Sequence, residues 1–335
     1  MITGNQKRRD AGTRLRIRRL SETDYRVQMK RIVEPYLRKH RRSGYLTGSD
    51  GTRIFYSRYL CENARGSIVI SHGFSEFTEK YNEMIFYFLQ AGYAVFIPEH
   101  RGHGRSQRAI RNPQKVYVKS FAQYVRDLHL FVNKIVKPYR NEMLLFAHSM
   151  GGAIGALYLE TYPDDFQKAV LSSPMIQMKV GRYSYPAAMV IAHLCRLCGF
   201  GKVYAAGQHG FCEEPDFEHS CCLSKERFMY AHEKRLKYKS CRTSGASYSW
   251  VCAAGKASAY IQESQNINKI KIPVLVFAAG KEHMVDTDEI CRFAGKLRYA
   301  RLVWELEAKH EIFNAGERAR LRFYEELFRF LLHGL

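Results

Sequence analysis

Residues 143–152 read Met-Leu-Leu-Phe-Ala-His-Ser-Met-Gly-Gly. The run Met143–His148 is apolar without interruption until its last residue, the pattern of a strand covered on both faces. From Gly151 to Tyr162 the pattern suits a helix. Ser149 stands at the corner between the two. A strand turning sharply into a helix lifts a serine hydroxyl out of the sheet, which is the setting of a nucleophile elbow. Small residues are required two positions either side, because strand and helix crowd there. Gly151 satisfies this. Ala147 stands where Gly is usual, a departure of one methyl group. The plain alternative is a serine in a structural turn, and the strand–helix context favours the nucleophile.

Outward from that corner the pattern repeats. Strands are predicted at 53–60, 67–72, 93–98, 169–172, 272–279 and 302–306, with helices at 82–90, 290–297 and 317–332. Phe121, Tyr124, Val125, Leu128, Val132 and Ile135 recur at helical spacing. Strands alternating with helices predict an α/β fold with a mostly parallel sheet flanked by helices. The alternation breaks between residues 176 and 270, a stretch rich in Cys, His, Tyr and Lys/Arg. It contains an apolar helix at 186–200 that is too short and too interrupted to span a bilayer. An insertion of this size in a compact fold suits a helical cap, or lid. The expected division is a basic N-terminal extension at 1–43, a core at 44–175 and 271–335, and a cap insertion at 176–270. In the extension, residues 1–20 are expected to be loosely held. A short helix should start near Ser21, capped by Ser21 and Asp24, and be disturbed by Pro35.

Three further positions carry chemistry. His72-Gly73-Phe74 ends an early strand. An acyl-transfer serine needs two backbone N–H groups aimed at the developing oxyanion, and Met150 and Phe74 sit where these arise. His310 follows the last strand and precedes the last helix, where the chain order serine, acid, histidine places the base. The acid should follow the strand ending near Ala279. Glu282, Asp286 and Asp288 all qualify by position.

Lys plus Arg number 53 and Asp plus Glu 32, a formal +21. Such an excess suits an anionic partner, a membrane surface above all. Residues 1–42 hold 14 of the basic and 4 of the acidic residues, so +10 of the +21 lies there. Nucleic-acid binding is not expected, because charge is its only support and no recognisable module accompanies it. No spanning helix and no secretory signal are predicted, which places the protein in the cytoplasm, peripheral at most on the inner face of a membrane. Seven of the nine cysteines fall between Cys195 and Cys252. Cys195-x-x-Cys198 lacks a second clean pair and lies on an apolar helix, so reduced thiols are expected and no metal site. The basic stretch around Lys234–Lys239 reads as a solvated face, with contact to lipid head groups as the alternative.

From Gly44 onward the chain resembles α/β-hydrolases of the monoacylglycerol lipase and lysophospholipase family. The resemblance rests on His72-Gly73-Phe74-Ser75-Glu76 with Lys80-Tyr81, and on His100-Arg101-Gly102-His103-Gly104-Arg105-Ser106. It also rests on Lys309-His310-Glu311-Ile312. It is strongest with the bacterial inner-membrane lysophospholipases, through Ala147–Ala153 and Glu282-His283-Met284-Val285-Asp286. It implies Ser149, Glu282 and His310 as catalytic residues, with Asp286 as second choice for the acid, and Phe74 and Met150 as oxyanion donors. The implied reaction is hydrolysis of the acyl ester of a single-chain lipid, a lysophospholipid first, through an acyl-enzyme and without a cofactor. The alternatives are a monoacylglycerol lipase or general carboxylesterase and, from another class, a non-catalytic binding protein on the same scaffold. Glu99 stands where the family usually has Asp.

Overall fold

The computed structural model describes residues 17–139, 141–181 and 184–335. Its eight strands are β1 (Arg41–Thr47), β2 (Arg53–Tyr59), β3 (Gly66–Ser71), β4 (Tyr93–Pro98), β5 (Met143–His148), β6 (Lys168–Ser172), β7 (Val274–Ala279) and β8 (Ala300–Glu305). They form one sheet in the order β1-β2-β4-β3-β5-β6-β7-β8. The pairs β1/β2 and β2/β4 are antiparallel, and every other pair is parallel.

The central strands alternate between two cores, as the two-residue period of a strand dictates. Val69, Leu145, Ala147, Val274 and Val276 face one side, with the helices Phe121–Phe131 and Met150–Thr161. Ile68, Ile70, Leu144, Phe146, Leu275 and Phe277 face the other, with Asn82–Gln90 and Glu317–His333. Successive connections run to opposite sides of β3, so the strand order reverses between β3 and β5. A crevice opens at the carboxyl ends of the strands at such a point.

β1 straddles the boundary expected at residue 43, beginning in the stretch read as an extension and ending in the core. It is an edge strand with alternating exposed residues, which hides it from a search for apolar runs. Residues 1–16 lie outside the described residues. The expectation of loose attachment fails for the residues just after them. Leu20 is buried, and its N–H donates to the Tyr87 hydroxyl at 2.8 Å. The following helical segment inserts Tyr25, Met29, Val33 and Leu37 into the second core. Pro35 does not end this segment. The turns Met29–Val33 are wider, with the Glu34 N–H donating five residues back to Met29 O, and the helix Glu34–His40 then starts around the proline. The Ser21 hydroxyl accepts from the Asp24 N–H, the bond expected of the cap, at a long 3.5 Å. It also accepts from the Gln28 side chain, at 2.8 Å.

The stretch 176–270 holds three long helices, Tyr185–Leu197, Lys225–Lys237 and Tyr248–Ile261. They differ in placement. Tyr248–Ile261 buries Trp250, Ala253, Ala254, Ala257 and Ile261 in the first core. Tyr185–Leu197 leaves Val190, Ile191, Leu194 and Leu197 exposed. Lys225–Lys237 is tied to the N-terminal segment by ion pairs Arg26–Glu226, Arg26–Glu233, Arg227–Glu22 and Lys234–Glu34, and to the core by Arg227–Glu83. The basic stretch there is therefore no uniform solvated face: Lys234 is paired, and Arg235 donates to main-chain carbonyls of Cys241 and Thr243.

Candidate active site

Four loops at the carboxyl edge of the sheet meet around Ser149. Ser149 has φ +55° and ψ −120°, a conformation that costs a non-glycine residue on the order of 1–3 kcal/mol. The surroundings hold it there. Its N–H donates to Ser172 O at 3.1 Å, and its carbonyl accepts from the N–H groups of Gly152 and Met175 at 2.8 and 2.9 Å. The glycines are required by contact. A Cβ at Gly151 would lie 2.1 Å from Ser71 O, and one at Gly152 would lie 2.7 Å from Pro174 Cα.

The Ser149 hydroxyl lies 2.7 Å from His310 Nε2, and His310 Nδ1 lies 2.7 Å from Glu282 Oε2. The network assigns the tautomer: Nδ1–H donates to the carboxylate, leaving Nε2 free to accept from the serine. Glu282 Oε1 accepts from the N–H groups of Met284 and Val285 at 2.7 and 3.3 Å. Burial raises the pKa of Glu282, but the His310 hydrogen bond, its charge and these two N–H groups outweigh that and hold it below the ordinary value. Asp286 is employed elsewhere. It caps the helix Thr287–Lys296, accepting from Asp288 and Glu289 N–H at 3.0 and 3.3 Å. Asp288 is exposed on that helix. Of the three carboxylates open by sequence, Glu282 alone reaches the imidazole.

Met150 opens the helix Met150–Thr161, so its N–H has no partner within that helix. Phe74 follows β3 and lines the same cavity as Ser149.

Comparison with known proteins decides the family. A family model described as serine aminopeptidase, S33, matches residues 62–317. The chain belongs to this family. Among its relatives, the probable lysophospholipase L2 of Haemophilus influenzae is 28% identical over 291 residues, covering 86% of this chain and 91% of the relative. Lysophospholipase L2 of Escherichia coli is 28% identical over 262 residues, 76% of this chain and 75% of the relative. Monoacylglycerol lipase of Mycolicibacterium smegmatis is 30% identical over a shorter 136 residues, 40% of this chain and 47% of the relative. The fold is similar to a soluble variant of Saccharomyces cerevisiae monoglyceride lipase, with TM-score 0.67 at 18% identity, covering 88% of this chain and 97% of that one. It is similar also to a Bacillus coagulans carboxyl esterase, with TM-score 0.69 at 18% identity and coverage of 88% and 98%. This is the α/β-hydrolase fold.

In this S33-family hydrolase the serine opens into a cavity of about 710 Å³, lined by Met175, Met178, Ala188, Ile191, Trp250 and Val251 among others. The helix Tyr185–Leu197 thus forms part of its wall, and the cavity is of a size for a small organic ligand.

Beneath the site lies a charge network that sequence reading did not find. Lys80 Nζ is 2.8 Å from Glu76 Oε1 and 2.5 Å from Glu311 Oε1. Glu76 also accepts from Gly73 N–H at 2.6 Å and the Tyr81 hydroxyl at 2.5 Å. Burial raises the Glu76 pKa, but Lys80 beside it holds the carboxyl well down. Burial lowers that of Lys80, but Glu311 and Glu76 push it up. The network joins the loop bearing Phe74 to the loop bearing His310. His148 beside it is kept neutral, its pKa pushed down by burial to about 4. Glu99 fills a comparable role one turn away, accepting from Thr78 N–H at 3.1 Å and from Arg105. Its extra length lies where a Cβ at Gly104 would sit, 2.1 Å from Glu99 Oε2. All nine cysteines are unpaired, and no cluster suited to a metal ion occurs among the described residues.

Proposed function

We propose that the protein is a serine esterase that hydrolyses the acyl ester of lysophospholipids. One observation carries the reading: the continuous hydrogen-bonded line Glu282–His310–Ser149 ends in an apolar cavity. His310 takes the Ser149 proton as the serine oxygen attacks the acyl carbonyl. Glu282 holds the ring in the required tautomer and stabilises the imidazolium. The N–H groups of Phe74 and Met150 receive the oxyanion, each such donor being worth roughly 10²–10³ in rate. His310 returns the proton to the departing glycerophospho-alcohol, and water attacks the acyl-Ser149 ester by the same route to release fatty acid. The acyl chain lies along the methionines and the helix Tyr185–Leu197.

Several features support a lipid substrate. Val190, Leu194, Leu197, Phe200 and Val203 are exposed beside residues that line the cavity. An apolar patch of this kind on a chain with net charge +21 suits peripheral contact with an anionic membrane. No helix among the described residues is long and apolar enough to cross a membrane. The working division is a hydrolase core and a cap spanning 176–247, with Tyr248–Ile261 grouped with the core by its packing. The partial match to a monoacylglycerol lipase keeps monoacylglycerol as the second reading.

Two measurements test this. A fluorophosphonate probe should label the wild type and not Ser149→Ala. A panel of lysophospholipids, monoacylglycerols and short-chain esters should show the highest kcat/KM for lysophospholipid. Preference for monoacylglycerol would move the assignment to the second reading, and absence of labelling would remove the esterase itself.

A further inference from the structure

The cavity is lined by twenty described residues, and Lys179 is the one that carries a formal charge. The others are apolar or neutral. Lys179 places a single ammonium-bearing side chain at the exposed rim of an otherwise uncharged cavity.

Its position is built by the backbone. After β6 the chain runs alongside the loop that carries Glu282. The Lys179 N–H donates to Met284 O at 2.9 Å, and the Asp286 N–H donates to Gln177 O at 2.9 Å. Met178 and Val285 form an antiparallel bridge between them. Lys179 is thus fixed to the acid loop, on the wall of the cavity into which Ser149 opens. Its Nζ donates to the main-chain carbonyl of Glu282 at 3.1 Å and forms no ion pair among the described residues. An ammonium has three donors, so two remain for a ligand. The residue is exposed, so it stands at the cavity mouth rather than sealed inside.

We infer that Lys179 receives the phosphate of the substrate's head group and sets selectivity for lysophospholipid over uncharged single-chain lipids. This rests on the proposed esterase reading and adds to it a recognition residue. With the acyl chain in the apolar wall and the ester carbonyl at Ser149, the glycerol directs its third carbon away from the chain, toward the mouth. There Lys179 supplies a charge-assisted hydrogen bond to phosphate. A monoacylglycerol presents a hydroxyl at that point and gains far less. Lys179 touches the leaving group and not the reacting atoms, so its effect belongs in KM.

The test compares 1-oleoyl-lysophosphatidylethanolamine with 1-oleoylglycerol in one neutral detergent, following oleate release by the full chain. Lys179→Met should raise KM for the lysophospholipid about tenfold relative to the monoacylglycerol, the size of one charge-assisted contact. Lys179→Arg should restore most of the selectivity. An unchanged selectivity ratio in Lys179→Met, in an enzyme active on lysophospholipid, overturns the inference and leaves the esterase reading standing. An equal loss on both substrates also overturns it, since that is the mark of a lysine that only supports the Glu282 loop. A wild type active on 1-oleoylglycerol alone overturns both readings. Glycerophosphoethanolamine serves as a second probe: it should inhibit hydrolysis of p-nitrophenyl butyrate competitively in the wild type and more weakly in Lys179→Met.

Discussion

Gly155 leaves its side-chain position empty opposite the methyl group of Ala147, and a Cβ built there would lie 2.9 Å from the Ala147 Cβ. The methyl that replaces the usual glycine before Ser149 is thus accommodated one helical turn into the following helix. Gly155→Ala should be destabilising by roughly 1–3 kcal/mol despite its better helix propensity. Combined with Ala147→Gly the cost should shrink, since the collision is gone. Denaturant midpoints of the four variants in this cycle measure the coupling. Additive effects would show that the two positions do not share one space.

Ser149→Ala should lower kcat by on the order of 10⁴-fold or more with the fold intact. His310→Ala should cost a similar factor, and the double variant little beyond either. Steady-state hydrolysis of a soluble ester, with circular dichroism for folding, is the check. Near wild-type turnover by Ser149→Ala would remove it as nucleophile.

Glu282→Gln should reduce kcat by up to about 10⁴-fold, because the amide favours the wrong imidazole tautomer. Asp286→Asn keeps an acceptor for the Asp288 and Glu289 N–H groups, so it should change stability by less than about 1 kcal/mol and activity little. The reverse ranking would exchange the roles of the two residues.

Lys80→Met should destabilise by about 3–5 kcal/mol, because Glu76 and Glu311 lose the cation between them. Its pH dependence should also change sign. In the wild type the Glu76 carboxyl is held below its ordinary 4.5, so its stabilisation is present above that pH and is lost as the pH falls below it. Without Lys80, burial pushes this carboxyl up, and stability should fall as the pH rises toward neutral. Urea unfolding at pH 5 and pH 8 separates the two profiles.

Glu160, on the helix Met150–Thr161, is buried and neither carboxylate oxygen has a hydrogen-bond partner. Burial raises its pKa to about 9. The folded state therefore binds the proton more tightly than the unfolded chain, and stability declines as the pH rises from about 4.5 to 9. Glu160→Gln should raise the thermal midpoint, and the gain should be larger at pH 8 than at pH 5. Equal gains would mean the carboxyl is not desolvated in the native protein.

What the sequence reveals follows from what is buried. β4 and β5 coincide with the expected ranges because all their residues are covered and, but for His148, apolar. β1 escaped notice because Arg41, Arg42 and Ser43 lie on a sheet edge, where burial selects nothing. Ser149 and His310 are legible because their loops have a fixed place in strand order. The residue pattern alone leaves Glu282, Asp286 and Asp288 open, since they lie within seven positions of one another after β7, and it is the resemblance that singles out Glu282. The Lys80 network spans 231 positions from Lys80 to Glu311, and no local pattern carries a pairing of that range.

The two outer helices are held by different forces, Lys225–Lys237 by ion pairs and Tyr185–Leu197 by packing on Tyr248–Ile261. Swinging that helix outward separates Arg227 from Glu83 and Glu22 and leaves charges stranded in a nearly dry setting. The helix Tyr185–Leu197 has no such mooring in any ion pair among the described residues, and its outer apolar side chains already meet solvent. Of the two outer helices it is Tyr185–Leu197 that lines the cavity, and that same wall carries the greasy surface. On the proposed reading, the face offered to a bilayer and the wall of the acyl site are two sides of one helix, so the lipid has the thickness of a single helix to cross.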